Sequence, residues 1–293
     1  MRVACIDIGS NTTRLLVSQR GTDSGLHEVH RERAFNAIEL DDNAIPASKL
    51  SQIATVVATQ ARHARQHGAV ATRVVATGIF RTASNSSDAL GEIAAAAGLP
   101  VDLLPPADEA RLAFRGGVGV LGTAPAGTLA VVDVGGGSTE IAVGRAGGVE
   151  WWRSVPIGSA VLAADLGGAA LDRHRLEVLH ERAQRAFAPI RPPQVDWAWA
   201  VGGSAQSLHR IAGDLLGAEA LDHALDLLCN ESVASVAARY ELEPERVALL
   251  PAGMVVLRWA SALIGCQLRV GSGGLREGIV LELLDAISSS GEG

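Results

Sequence analysis

Lysine is all but missing from this chain: Lys49 is the only one, and every other basic side chain is arginine. A phosphate-binding loop of the Gly-Lys type is therefore excluded, and Schiff-base chemistry, with a single lysine to draw on, is not expected. Cysteine is scarce as well. Cys5, Cys229 and Cys266 stand at no metal-like spacing, and an odd number argues against a secreted disulfide framework; they are expected to be buried small hydrophobes. Aromatic residues make up 3% of the chain, there is no basic run, and the pI is about 5.6, so the footprint of a nucleic-acid-binding protein is absent. No apolar run is expected to reach the roughly 20 residues that span a bilayer, and no basic segment followed by an apolar core stands at the start. The expected location is the cytoplasm, with no membrane and no nucleic acid among the partners.

What is present is enough for two cores. The chain has 293 residues, 48% of them apolar, and its strand and helix patterns alternate, which predicts an α/β protein of two lobes. Charge is uneven: residues 1–126 carry 12 acidic and 12 basic side chains, and 127–293 carry 20 and 13, so the net −7 belongs to the second half. A polyanion can still bind where arginines converge locally.

One segment occurs twice. DIGSNTTRLLV at 7–17 and DVGGGSTEIAV at 133–143 keep Asp, Gly, Thr and Val in register at an offset of 126 residues. Each follows an apolar run, turns at small residues and re-enters an apolar run, which reads as strand, tight turn, strand. Asp-x-Gly puts a carboxylate at a strand end, and the small residues after it let backbone N–H groups form a phosphate-sized nest.

Strands are predicted at 3–8, 13–19, 26–34, 73–77 and 101–104, with helices at 48–66, 87–97 and 107–115. The second lobe starts near 127, with strands at 128–134, 139–145, 149–155 and 197–201 and mostly helical sequence to 264. The glycine-rich stretch 116–128 with Pro125 is the expected hinge. A helix at about 275–287 is expected to return to the first lobe, and 288–293 to fray.

Two constellations lie between the hairpins. ATGIFRTASN at 76–85 runs a strand into a turn carrying Arg81 and Asn85, and a guanidinium offers a planar fork of donors to phosphate. DEAR at 108–111 places Asp108 and Glu109 in a first helical turn after Pro105 and Pro106, a position that acidic residues also favour for the macrodipole alone.

DIGSNTTRLL, ATGIFRTASN, DEARLAFRGG, VVDVGGGSTEIAVG, VGGSAQSL and GSGGLREGIVLELL, in that order from Asp7 to about Leu284, resemble the exopolyphosphatase and guanosine pentaphosphate phosphohydrolase (Ppx/GppA) family. The resemblance implies two actin-like (ribonuclease H-like) ATPase lobes, of the superfamily of sugar kinases, heat-shock chaperones and actin, spanning 1–126 and 127–293 around an interlobe cleft. It also implies hydrolysis of a terminal phosphoanhydride bond with Mg²⁺. Carried over by motif, Glu109 is the general base on water, and Asp7, Asp133 and Glu140 are the metal environment. Ser10, Asn11, Thr12, Arg14, Arg81, Asn85, Gly135, Gly136, Gly137, Ser138, Thr139 and Arg276 are the phosphate-binding set. Arg276 at a helix start is unexpected on dipole grounds, and a phosphate contact would explain it.

Three segments depart from the family pattern. Asn36-Ala-Ile-Glu-Leu-Asp-Asp stands where an Arg-x-Gly turn is usual, Pro156-Ile-Gly-Ser-Ala-Val-Leu lacks a basic residue after Gly-Ser, and Val201-Gly-Gly-Ser-Ala-Gln-Ser replaces a Gly-Thr-rich turn. They leave the reaction in place and the substrate range open. His63 and His67, one helical turn apart without a third ligand, read as exposed helix histidines, and Trp151, Trp152, Trp197 and Trp199 as packing residues. The expected activity is a Mg²⁺-dependent exopolyphosphatase acting on inorganic polyphosphate, as a homodimer. The alternatives are a guanosine pentaphosphate 5′-phosphohydrolase and, from another class, an ATP-binding kinase or non-catalytic switch.

Overall fold

The sequence repeat becomes a repeat of hairpins, each at the centre of its own sheet. The computed structural model describes residues 1–21, 25–164 and 172–290. Two units form: Met1–Thr123 with Leu275–Gly293, and Ala124–Gly274.

In the first unit, strands β1 (Arg2–Ile8), β2 (Thr12–Arg20), β3 (Leu26–Phe35), β4 (Ala69–Ala76) and β5 (Val101–Leu103) form a sheet of order β3-β2-β1-β4-β5. β1 is antiparallel to β2 and parallel to β4. Alternation along β1 feeds two cores. Ala4, Ile6 and Ile8 face helices α1 (Ala47–Gln66) and α2 (Ser86–Ala97), while Val3 and Cys5 pack with Leu112 of α3 (Pro106–Gly119) and with Ile279 and Val280 of the C-terminal helix Leu275–Ser290. A central strand covered on both faces reads as an unbroken apolar run, as Val3–Ile6 does. Gly278 allows the two helices to meet closely, since a Cβ there would lie 2.0 Å from the Leu112 carbonyl oxygen.

The second unit repeats the arrangement. β6 (Leu129–Val134), β7 (Thr139–Arg145), β8 (Gly148–Val155), β9 (Trp197–Val201), β10 (Leu215–Leu216) and β11 (Leu268–Val270) take the order β10-β11-β9-β6-β7-β8. Read from β8, its first five strands superpose in order and direction of pairing on those of the first sheet. Its helices are α4 (Ser159–Ala163), α5 (Arg173–Phe187), α6 (Gly202–Ala212), α7 (Ala218–Asn230), α8 (Val233–Tyr240) and α9 (Pro244–Ile264), which makes the C-terminal helix α10.

Several expectations need correction. α9 has 21 residues and is long and apolar enough to cross a membrane by length and composition, contrary to the expectation of no such run. Most of it is buried within its own unit, where Leu250, Val255, Val256, Leu257 and Ala260 join the core against β6 and β9. α3 continues through Gly116–Gly119, into the stretch read as a hinge, because α10 covers it. α10 runs to Ser290, past the expected fraying point, and 291–293 lie outside the described residues. Only Cys5 is buried; Cys229 is exposed and Cys266 intermediate. His63 and His67 are half-buried: His63 Nδ1 and His30 Nε2 each lie 2.6 Å from Glu32 Oε1, and His67 stacks on His30 with centroids 3.9 Å apart.

Candidate active site

The first loop, Gly9–Thr12, closes with the Gly9 N–H donating to the Thr12 carbonyl at 2.9 Å. The ladder below it sets Ile8 opposite Thr13 and Asp7 opposite Arg14. Asp7 Oδ1 is buried and has no hydrogen-bond partner among the described residues. Burial pushes its carboxyl above the usual range, against the pull of Arg276 and Arg14. Arg14 Nε also donates to Thr12 Oγ1 at 3.1 Å. Sequence placed Arg14 and Arg276 far apart; the fold brings both close enough for their charge to act on the Asp7 carboxyl.

After β4 the chain makes a single 3₁₀ turn, Gly78–Arg81, which links the loop to the candidate base. At one end the Ile79 N–H donates to Ser10 Oγ at 3.2 Å. At the other, Arg81 Nη1 donates to the Leu104 carbonyl at 3.0 Å and to Glu109 Oε1. Glu109 is 7% exposed and sits in the first turn of α3, which Pro106 starts with the fixed φ that a first helical position favours. Arg81, Glu109 and Ser10 thus belong to one connected piece of the first unit. Asn85 is placed differently: Oδ1 accepts from the Ile45 N–H at 2.9 Å and Nδ2 donates to the Ile45 carbonyl at 3.0 Å, so its amide holds backbone.

The second loop, Gly135–Ser138, has the same closure, Gly135 N–H to Ser138 carbonyl at 3.0 Å, with Val134 opposite Thr139 and Asp133 opposite Glu140. Glu140 is buried, and its Oε1 accepts from Ser154 Oγ of β8 at 2.7 Å. Thr139 donates its buried hydroxyl to the Ile157 carbonyl at 2.6 Å, so that proton is used within the protein. Gly202, where β9 passes directly into α6, takes φ +88°, and a Cβ there would lie 2.5 Å from Asp133 Oδ1. Only glycine gives Asp133 this room.

Asp7 lies in one unit and Asp133 and Glu140 in the other. Among the described residues no group of three or more His, Cys, Asp or Glu side chains is arranged to hold a metal ion. Ser154 was missed by sequence reasoning, although its place opposite Glu140 follows from the strand alternation once β7 and β8 are paired. The Arg81–Glu109 pair joins residues 28 apart and has no local signal.

The model of the Ppx/GppA phosphatase family matches residues 16–287. The chain belongs to that family. The match opens just after the first loop, whose assignment rests on the DIGSN motif and on its equivalence to the second hairpin. Among curated Ppx/GppA relatives, exopolyphosphatase 2 of Mycobacterium tuberculosis is 38% identical over 158 residues, 49% of this chain and 48% of that protein. The guanosine-5′-triphosphate,3′-diphosphate pyrophosphatase of Photobacterium profundum is 25% identical over 298 residues, 96% of this chain and 59% of that protein. The chain therefore spans about half to three-fifths of the length of these two relatives. An exopolyphosphatase structure from Cytophaga hutchinsonii matches with a TM-score of 0.82 at 20% identity, covering 98% of both chains. The Aquifex aeolicus PPX-GPPA enzyme matches with a TM-score of 0.78 at 24% identity, covering 96% of this chain and 99% of that one. These show the fold: that of the Ppx/GppA phosphatases, an actin-like ATPase fold.

Proposed function

We propose that this Ppx/GppA protein is an exopolyphosphatase, releasing orthophosphate from the end of inorganic polyphosphate by hydrolysis of the terminal phosphoanhydride bond. The observation that carries the reading is the buried Glu109, paired with Arg81 on the same short turn that contacts the first loop through Ile79. An arginine partner favours the anionic form of a carboxylate, which is the form a general base needs. In the reaction Glu109 takes the proton of the attacking water, and that water's oxygen forms the new bond to the terminal phosphorus as the bridging bond breaks. The donors of the Ser10–Thr12 loop, in the same unit as Glu109, hold the charge that develops on the phosphoryl oxygens. Arg14 and Arg276 grip phosphate from the first unit.

The donor set fits Mg²⁺. Two carboxylates directly opposite on a ladder repel, and a cation would relieve the Asp133–Glu140 pair. Mg²⁺ takes one or two protein carboxylates with water and phosphate oxygens, so three clustered ligands are not required. Asp133 and Glu140 would hold it, and when bound it would neutralise charge on the phosphate oxygens.

A second reading, guanosine pentaphosphate hydrolysis, is favoured by the length over which the Photobacterium relative aligns. Orthophosphate release from polyphosphate, guanosine pentaphosphate and ATP, assayed side by side with Mg²⁺, separates the two. Fastest release from polyphosphate supports the proposal; preference for the pentaphosphate supports the second reading, and no release from any substrate overturns both.

A further inference from the structure

The segment after β3 is tied to the first loop through Asn36, Ala37 and Ile38. Asn36 is 2% exposed. Its Nδ2 donates to the Gly9 carbonyl at 3.1 Å and to Thr13 Oγ1 at 2.8 Å, and the Thr13 hydroxyl faces Asn36 Oδ1 at 3.0 Å. The backbone N–H groups of Asn36 and Ala37 donate to the Asn11 carbonyl at 2.8 and 3.3 Å, and that of Ile38 to the Ser10 carbonyl at 2.9 Å. Ala37 adopts φ +45°, a left-handed turn that an alanine takes only under constraint. Three successive loop carbonyls, those of Gly9, Ser10 and Asn11, are thus drawn towards 36–38, and the Gly9 N–H takes the fourth, on Thr12.

The segment is fixed in turn. Lys49, the only lysine of the chain, donates to the Asn36 carbonyl at 2.7 Å, and the Asn85 amide clasps both backbone groups of Ile45. The second unit uses the same device. After β8, the equivalent of β3, the Ser159 N–H donates to the Gly135 carbonyl at 2.9 Å, and those of Ala160 and Val161 to the Gly136 carbonyl at 3.0 Å. Gly135 corresponds to Gly9. The second unit holds the Gly135 carbonyl with the backbone N–H of Ser159 and with its hydroxyl, at 3.2 Å; the first holds that of Gly9 with the side chain of Asn36.

We propose that Asn36 is a positioning residue for phosphate binding: it turns the Gly9 carbonyl away from the anion that the first loop receives. The proposal rests on the reading of that loop as a phosphate site. A carbonyl oxygen carries partial negative charge, so one turned towards phosphate would repel it, while carbonyls held to one side leave the opposite side to N–H donors. Only a donor long enough to reach both Gly9 and Thr13 serves. Aspartate has the same shape but accepts where Asn36 donates.

The test is calorimetric titration of tripolyphosphate with Mg²⁺ into the Glu109→Gln protein, in which cleavage is slowed, with melting temperatures recorded for every variant. Asn36→Ala should weaken binding about tenfold, the effect of one lost hydrogen bond to a buried group, and Asn36→Asp should weaken it further. Thr13→Val removes the other partner of Asn36; it should lower the melting temperature as Asn36→Ala does and leave affinity within about twofold. If Asn36→Ala does not fold, Asn36→Ser, whose hydroxyl falls short of Gly9, carries the same comparison. Unchanged affinity in the Asn36 variants overturns the proposal, as does an equal loss in Thr13→Val. Absence of phosphate release by the parent protein alongside Asn36-dependent binding would sink the hydrolase reading and leave this inference standing.

Discussion

The two hairpins share a backbone and differ in charge. Both turn after a glycine whose N–H closes on the residue three positions ahead, and in both an aspartate sits one ladder position below the turn. Asp7 faces Arg14; Asp133 faces Glu140. Opposite charges across a ladder stabilise it and like charges destabilise it. The comparison teaches that the same strand-turn-strand frame carries opposite electrostatics: the first hairpin sets an arginine opposite its aspartate, and the second sets a glutamate there.

The sharpest way to break this contrast is to remove the base that only the first unit supplies. Glu109→Gln should lower turnover by roughly 10²-fold or more while the melting temperature changes little; unchanged turnover would remove Glu109 from the chemistry. Next in size, Asp133→Asn and Glu140→Gln should each raise the Mg²⁺ concentration for half-maximal activity by about tenfold, since each deletes a hard oxygen charge. Mg²⁺ titrations that match the parent's would place the metal elsewhere.

The first hairpin also yields a stability prediction. Because burial raises the Asp7 carboxyl, the protonated form favours the fold, an advantage present at low pH and lost as pH rises through its folded pKa. Asp7→Asn should therefore raise the melting temperature at neutral pH by a few degrees, roughly what 1 kcal/mol is worth in a chain of this size, while slowing phosphate release. A lower melting temperature would contradict the assignment. The smallest effect lies at Glu32. Burial raises its carboxyl, but the hydrogen bonds from His30 and His63 outweigh burial and leave it below the usual range. Its contribution is present above the unfolded pKa and lost as pH falls through the folded one. Glu32→Gln should lower the melting temperature by about a degree or two at neutral pH, and a pH-independent loss would point to packing instead.

What was legible in the sequence was local. The hairpins at 7–17 and 133–143, the proline-started helix carrying Glu109 and the C-terminal helix all announce themselves by alternation, turn residues and apolar runs within a dozen positions. What was not legible depends on pairing across the chain. Arg81 read as a phosphate grip, and its contact with Glu109 exists only because β4 and β5 lie side by side. Asn36 read as a departure without a role, because its partners at Gly9 and Thr13 are reached only through the β2–β3 ladder. α9 is apolar around most of its circumference, and composition alone does not tell a core helix from a membrane span. The two-residue and three-residue strands β10 and β11 are too short to show a period.

The most direct test of the account is the dependence of KM on phosphate number, measured as orthophosphate release from polyphosphates of graded length at saturating Mg²⁺. An exopolyphosphatase whose arginines at 14 and 276 grip a linear polyanion should show KM falling as the chain lengthens, with turnover nearly constant, because grips away from the reacting bond contribute uniform binding. A KM independent of length, with guanosine pentaphosphate cleaved faster than any polyphosphate, would contradict it.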